Sequence, residues 1–170
     1  ADGRFGENKM RIYASQNAPF TIMYDSWKAH SRQLVPMTPE EGRNKAEVIL
    51  GKVLSNRKPP YSLAGGLFDV LEKSGGDMFK VSNDEIVSWV VRYFSAEGYD
   101  IFPASACAVA SLKQALDAGV IKHDETVMLN VTGGGMLGAT RKGFILKEPD
   151  LVLSPDLPAE EIIAAIDKLF

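Results

Sequence analysis

The chain has 170 residues, 45% of them hydrophobic and 24% charged, with a formal net charge of −3. That length supports one domain with a proper core, and the weak negative charge gives no electrostatic footprint for nucleic acid or an anionic membrane. A single cysteine, Cys107, excludes an internal disulfide and a thiolate metal cluster. With no signal-peptide pattern and no long apolar span, the expected location is a reducing cytoplasm. His30 and His123 lie far apart without a ligand-spaced partner, so both are read as surface residues and no metal is expected.

The opening Ala1 to Lys9 has the look of a helix end and a turn, as though the chain were cut from something longer. Lys9 to Ser15 reads as a strand, closed by Gln16-Asn17-Ala18-Pro19 because Pro19 lacks a donor and restricts Ala18. The Gln16-Asn17 pair fits either a ligand contact at a strand's carboxyl end or a turn built by Asn side-chain bonding. Phe20 to His30 reads as a helix. Thr38-Pro39-Glu40-Glu41 has the form of a helix start, with a Thr cap, Pro in the first turn and acids behind it. That helix is not expected to run unbroken through Gly42 and Gly51.

Lys52 to Leu54 reads as a short strand or helix end. Ser55 to Ser62 is irregular, and Arg57 and Lys58 there either hold an anionic group or are simply solvated. Leu63 to Lys73 predicts a helix with Leu67, Val70 and Leu71 inward, stopped by Gly75-Gly76. Met78 to Val81 predicts a strand, and Ser82 with Glu85 a capping box opening a helix whose inward stripe is Ile86, Trp89, Val90 and Tyr93 or Phe94. Asp84 and Glu85 are cap and dipole residues rather than a catalytic pair. Pro103 starts a helix of small residues, Ala104 to Ser111, in which Cys107 is a buried small side chain without a base. That helix ends at Gly119.

Thr126 to Val131 reads as a strand covered on both faces, as in a parallel sheet, ending in Thr132 and Gly133-Gly134-Gly135. Ligands of open α/β sheets bind beyond such strand ends, and glycines allow close approach. Gly133, Gly135 and Gly138 match G-x-G-x-x-G, but Ala139 to Gly143 leaves room for at most one helical turn where a dinucleotide site needs a long helix. A bare glycine turn and a crevice for another cofactor are the competing readings. Phe144 to Leu146 and Leu151 to Leu153 predict short strands, and Pro158 starts a last helix with Ile162, Ile163, Ile166 and Leu169 or Phe170 inward. Strands alternating with helices indicate an α/β domain over residues 1–170, with a mainly parallel sheet flanked by helices.

Phe102-Pro103-Ala104-Ser105-Ala106, followed about two dozen residues later by Val131-Thr132-Gly133-Gly134-Gly135, resembles the C-terminal half of the threonine synthase-like enzymes. These are pyridoxal-phosphate proteins of fold type II, tryptophan synthase β-like in architecture. Ser74-Gly75-Gly76, Val81 to Glu85 and Gln16 to Pro19 match in order, so the likeness spans roughly residues 9 to 140. Within that family, Ser15 to Phe20, Tyr24 to Trp27, Val53 to Arg57 and Pro59 to Ser62 are similar to segments of the cysteate synthases. Those enzymes replace the phosphate of O-phosphoserine with sulfite, for coenzyme M or sulfonolipids.

The resemblance implies pyridoxal 5'-phosphate as cofactor, with Thr132 bonding its ring nitrogen. Gly133 and Gly134 would shape the floor, Ala104 and Ser105 would line the edge, and Ser55, Asn56, Arg57 and Gln16 would lie at the substrate mouth. The family's Glu is Phe102 here, so any role of that carboxylate is lost. The Schiff-base lysine and phosphate-binding loop lie upstream in this family and are absent from this chain. The resemblance thus implies no catalytic residue here and an incomplete, inactive polypeptide. The implied partners are the phosphoamino acid, sulfite, the remainder of the same enzyme and further copies in a homo-oligomer, with neither nucleic acid nor membrane. Threonine synthase chemistry on phosphohomoserine, or a non-catalytic domain binding a small ligand, are the alternatives.

Overall fold

In the computed structural model, which describes residues 9–145 and 147–169, strand β1 (Tyr13–Asn17) lies beside strand β2 (Asp77–Val81). They run parallel, in register from Tyr13 opposite Asp77 to Asn17 opposite Val81. Parallel neighbours need a crossover. It is supplied by α1 (Ile22–Lys28), α2 (Pro39–Val48), a 3-10 turn at Lys52–Leu54 and α3 (Leu67–Ser74). After β2 come α4 (Asn83–Glu97), α5 (Pro103–Asp117), α6 (Met136–Arg141) and α7 (Ala159–Ile166). The chain divides into two compact units, Ala1–Met136 and Leu137–Phe170. The expected class stands: α/β, with a parallel sheet between helices.

Strand residues alternate between faces, and each face has its own core. Met78 is buried with Tyr61, Phe68 and Leu71, and Ala14, Met23 and Trp27 pack against this group. On the other face Val81 joins Ile86, Ile101, Ala106, Cys107, Val109 and Ala110, which seats α4 and α5. The small residues of α5 let its backbone come close to the sheet. Asp77 anchors α1 to β2, accepting from Trp27 Nε1 at 2.6 Å and Lys28 Nζ at 2.7 Å.

The predicted Ser82 capping box forms, and the predicted Thr38 cap is a full capping box as well. Thr38 Oγ1 accepts the Glu41 N–H at 3.2 Å while Glu41 accepts the Thr38 N–H at 2.8 Å. Ser82 and Glu85 repeat the arrangement at 3.2 and 2.8 Å. Gly75 stops α3 in the left-handed conformation, at φ 67°, where glycine is strain-free.

Asn17 joins the ends of both strands to the loop after α2. Its Oδ1 accepts the Gly51 N–H at 2.9 Å, and its Nδ2 donates to Val81 O and to Asn83 Oδ1, each at 3.1 Å. Asn83 Oδ1 also accepts the Leu50 N–H at 3.2 Å, and its Nδ2 donates to Val48 O at 2.7 Å. Of the two roles open to the Gln16-Asn17 pair, Asn17 takes the structural one, inside the strand rather than in a turn after it.

Several expectations are corrected. β1 begins at Tyr13 rather than Lys9 and includes Gln16 and Asn17. α2 runs straight through Gly42, which is buried. A mid-helix glycine costs about 1 kcal/mol, but here the missing Cβ leaves the path taken by Arg57, whose Cδ would lie 3.1 Å from it. Lys52–Leu54 is a 3-10 turn, and Lys52 Nζ turns back to Ala46 O at 2.7 Å. α3 starts at Leu67; Leu71 is buried and Leu67 packs half-buried against the same cluster as expected, but the other buried residue is Phe68, and Val70 is only half-buried.

Thr126 to Val131 forms no strand, and Val127 and Met128 are exposed. A strand exists only through its ladder of partners, and no strand of the described residues pairs with this segment. The same holds for residues 144–145 and 151–153, where Phe144, Ile145 and Val152 are exposed. Leu146, Phe170 and the opening residues 1–8 lie outside the described residues. Pro158 does precede α7, but Ile163, Ile166 and Leu169 are exposed rather than inward. His30 and His123 are exposed, as expected.

Cys107 is fully buried, and burial pushes its thiol up to about 11. The folded protein should therefore resist thiol reagents at mildly alkaline pH and react fully in denaturant, measured as free-thiol titre. Burial raises the Glu85 carboxyl, but the Ser82 N–H, Gln114 and the Ser82 hydroxyl together hold it below its ordinary 4.5. A depressed carboxyl stabilises the fold above its unfolded value, and that contribution is lost as pH falls through the folded value. Glu85→Gln should thus flatten the decline in stability below about pH 4.5, read from denaturation midpoints against pH.

Candidate cofactor site

The first turn of α5 and the glycine run are stitched together through backbone. Ile101 and Gly134 form an antiparallel bridge. The Phe102 N–H donates to Gly133 O at 3.0 Å, and the Gly135 N–H donates to Asp100 O at 2.8 Å. Ser105 Oγ closes the joint: it donates to Gly133 O at 3.1 Å and accepts the Gly133 N–H at 3.0 Å. Asp100 Oδ2 accepts the Met136 N–H at 2.9 Å.

The glycines are required by this approach of backbone to backbone. A Cβ on Gly134, at φ 150°, would lie 2.2 Å from Asp100 O, and one on Gly133 would lie 2.8 Å from Phe102 Cδ2. Space for a ligand is therefore not the only reason for them. Phe102 lays its ring against Gly133.

The joint sets Thr132 beside α5. Thr132 is exposed, and within the described residues its hydroxyl makes no hydrogen bond. Ala104, in the first turn, is half-buried, whereas Ser105 is buried with its hydroxyl committed to Gly133. A flat heterocycle with one nitrogen acceptor needs a free donor held rigidly beside small side chains. Ser105, its hydroxyl spent on Gly133, holds the loop that carries Thr132 next to the first turn of α5.

The residues expected at the substrate mouth divide. Leu54 packs on the cluster that holds Ala106 and Cys107, as does Val131, so the 52–54 turn and the approach to Thr132 share one apolar floor. Ser55 and Arg57, just beyond, line a hollow of about 300 Å³ against α2. Asn56 is exposed and accepts the Lys58 N–H at 2.9 Å. Gln16 lies on the opposite sheet face. Its Oε1 accepts the N–H groups of Met23 and Tyr24 at 2.8 and 2.9 Å, while its buried Nε2 has no partner among the described residues. The sequence reading missed Arg43, which lines the same hollow as Arg57, and Asp100, for which no spacing or motif gave a signal.

The sequence profile of the pyridoxal-phosphate dependent enzymes matches residues 3–133, ending on the Thr132-Gly133 step. The chain belongs to this family. Its cofactor is pyridoxal phosphate, and the free Thr132 hydroxyl suits that group. Among relatives, the cysteate synthase of Methanocella paludicola is 41% identical over 168 residues, covering 97% of this chain and 39% of that protein. The cysteate synthase of Methanosarcina acetivorans is 38% identical over 164 residues, covering 95% and 39%. That of Methanocella arvoryzae is 40% identical over 170 residues, covering 98% and 40%. The chain thus spans about two fifths of the length of the curated relatives it matches. No helix of the described residues is long and apolar enough to cross a membrane.

The joint separates structural from ligand-facing residues. Ser105→Ala should cost about 1–3 kcal/mol by stranding the Gly133 N–H. Thr132→Val should leave stability within about 0.5 kcal/mol, both read by chemical denaturation.

Proposed function

We propose that this chain forms the ring-nitrogen wall of a cytoplasmic enzyme that replaces the phosphate of O-phosphoserine with sulfite to give cysteate. The observation that carries the proposal is the free hydroxyl of Thr132, held against the small-residue turn of α5. The cysteate synthase relatives, matched across nearly all of this chain, supply the substrates.

When bound, pyridoxal phosphate supplies an electron sink for the amino acid's α-carbon. Thr132, as a neutral donor, would hydrogen-bond the ring nitrogen without holding it protonated, which a carboxylate would do. That weaker pull suits loss of a β-substituent over extended storage of charge in the ring. The Ser105 joint keeps the hydroxyl in place, so no reorganisation is needed as charge develops. Ala104 would present a small face to the heterocycle, and Arg57 offers a cation in the hollow against α2.

The remainder of the same enzyme completes this wall in the proposal, supplying the Schiff-base lysine and the phosphate-binding loop. Support comes from β1, which is paired on one edge only among the described residues. Beside it lies a hollow of about 910 Å³ bounded by Tyr13, Ser15, Phe79, Leu112 and Met128. The Tyr13 hydroxyl is buried there with no partner among the described residues, and burial pushes its phenol pKa up. An added strand meets the needs of an open edge and an orphaned hydroxyl together.

The full-length protein should release phosphate from O-phosphoserine only when sulfite is present, with cysteate as the product by mass spectrometry. Threonine formed from phosphohomoserine and water would replace this reading with threonine synthase chemistry. Thr132→Val should lower kcat about tenfold or more, the worth of one well-placed hydrogen bond.

A further inference from the structure

We propose that Arg43 and Arg57 together form a binding site for a small dianion, a phosphate monoester. Resting on the function proposed above, this is the seat of the phosphate that the reaction displaces. The two arginines line one hollow of about 300 Å³, whose apolar floor is Phe20, Pro39 and Ala46. Phe20 is 1% exposed, so the floor is fixed core rather than mobile surface.

The case begins with the charges around them. Arg11 and Arg32 are bridged to Glu125 and Asp69. Neither Arg43 nor Arg57 has a carboxylate partner among the described residues. Glu41 is folded back on the Thr38 N–H at 2.8 Å, and neither Glu40 nor Glu47, the acids three and four residues from Arg43 on α2, forms an ion pair with it. Ser55 directs its hydroxyl proton to Lys52 O at 2.6 Å, which leaves the two guanidiniums as the donors of the hollow. Two like charges on one concave surface repel unless an anion lies between them, and the planar fork of arginine matches phosphate oxygens two at a time.

The second observation is Gly42. It sits inside the continuous helix α2 at a cost in helix propensity, and the place of its missing Cβ is 3.1 Å from Arg57 Cδ and 3.8 Å from Arg57 Cγ. The stem of Arg57 therefore runs along the bare backbone of α2, next to the position that carries Arg43. Half-buried and guided in this way, Arg57 is a placed cation rather than a solvated one.

Arginine-selective labelling of the full-length protein with phenylglyoxal, mapped by peptide mass spectrometry, tests the site without reference to turnover. Inorganic phosphate, O-phosphoserine and sulfite are added at equal ionic strength, with chloride as control. Inorganic phosphate and O-phosphoserine should slow modification of Arg43 and Arg57 at least threefold, with saturation, while exposed Arg92 and Arg141 are unaffected. Stronger protection by O-phosphoserine assigns the site to the substrate ester, and equal protection assigns it to the phosphate group alone. In Arg43→Gln, protection of Arg57 by phosphate should be lost, and KM for O-phosphoserine should rise at least tenfold with a smaller change in kcat. Absence of protection, equal protection of Arg92 and Arg141, protection by sulfite alone, or protection of Arg57 that survives Arg43→Gln would each overturn the site. Any of these results would leave the sulfite-dependent assay to stand or fall separately, because that reading rests on Thr132.

Discussion

The amide of Asn17 is the constraint on which the rest of the first unit depends. At the C-terminal end of β1 it accepts from Gly51 and donates to Val81 and Asn83. One buried side chain thereby fixes the ends of both strands, the start of α4 and the loop leaving α2. Parallel strands bring their carboxyl ends to the same edge, where backbone groups run out of ladder partners. A buried side chain with both donor and acceptor capacity satisfies them there at no cost in charge. Asn83 continues the pattern to Leu50 and Val48, so the crossover is closed by side-chain amides as well as by the sheet.

That closure sets the position of the loop carrying Leu54 to Arg57. Leu54 shares its packing with Val131, and Val131 leads into Thr132, so the two halves of the candidate site refer to the same cluster around Ala106 and Cys107. The small residues of α5 have a double role. They bring the helix close to β1 and β2, and they leave its first turn narrow enough for Ser105 to reach the Gly133 backbone.

Local features were legible in the sequence wherever short-range chemistry decides structure. The Thr38 cap, the Ser82 capping box, the glycine stop at Gly75 and the proline start at Pro103 all follow from patterns within a few residues, and the α/β class from the alternation of elements along the chain. Features that depend on distant groups were not legible in this way. Thr126 to Val131 has strand composition, but strand formation depends on a neighbour. Gly42 reads as a helix breaker until Arg57 is seen lying across it. Gln16 and Asn17 look alike in sequence, yet alternation sends one toward α1 and the other toward α5 and the strand ends. In the candidate site, Thr132 and the glycines could be named from their motif. That Ser105 holds the loop rather than facing a ligand follows only from its two bonds to Gly133.

The Ser105 joint grips Gly133 entirely through main-chain atoms, and Gly134 is fixed by its approach to Asp100. Residue 132 therefore carries no share in keeping the loop folded. Mutation can exchange the group presented at position 132, hydroxyl for thiol or for hydrocarbon, while the bonds that hold the turn remain. In such a scaffold the side chain at position 132 is free to drift between descendants, while the frame around it is kept by steric exclusion.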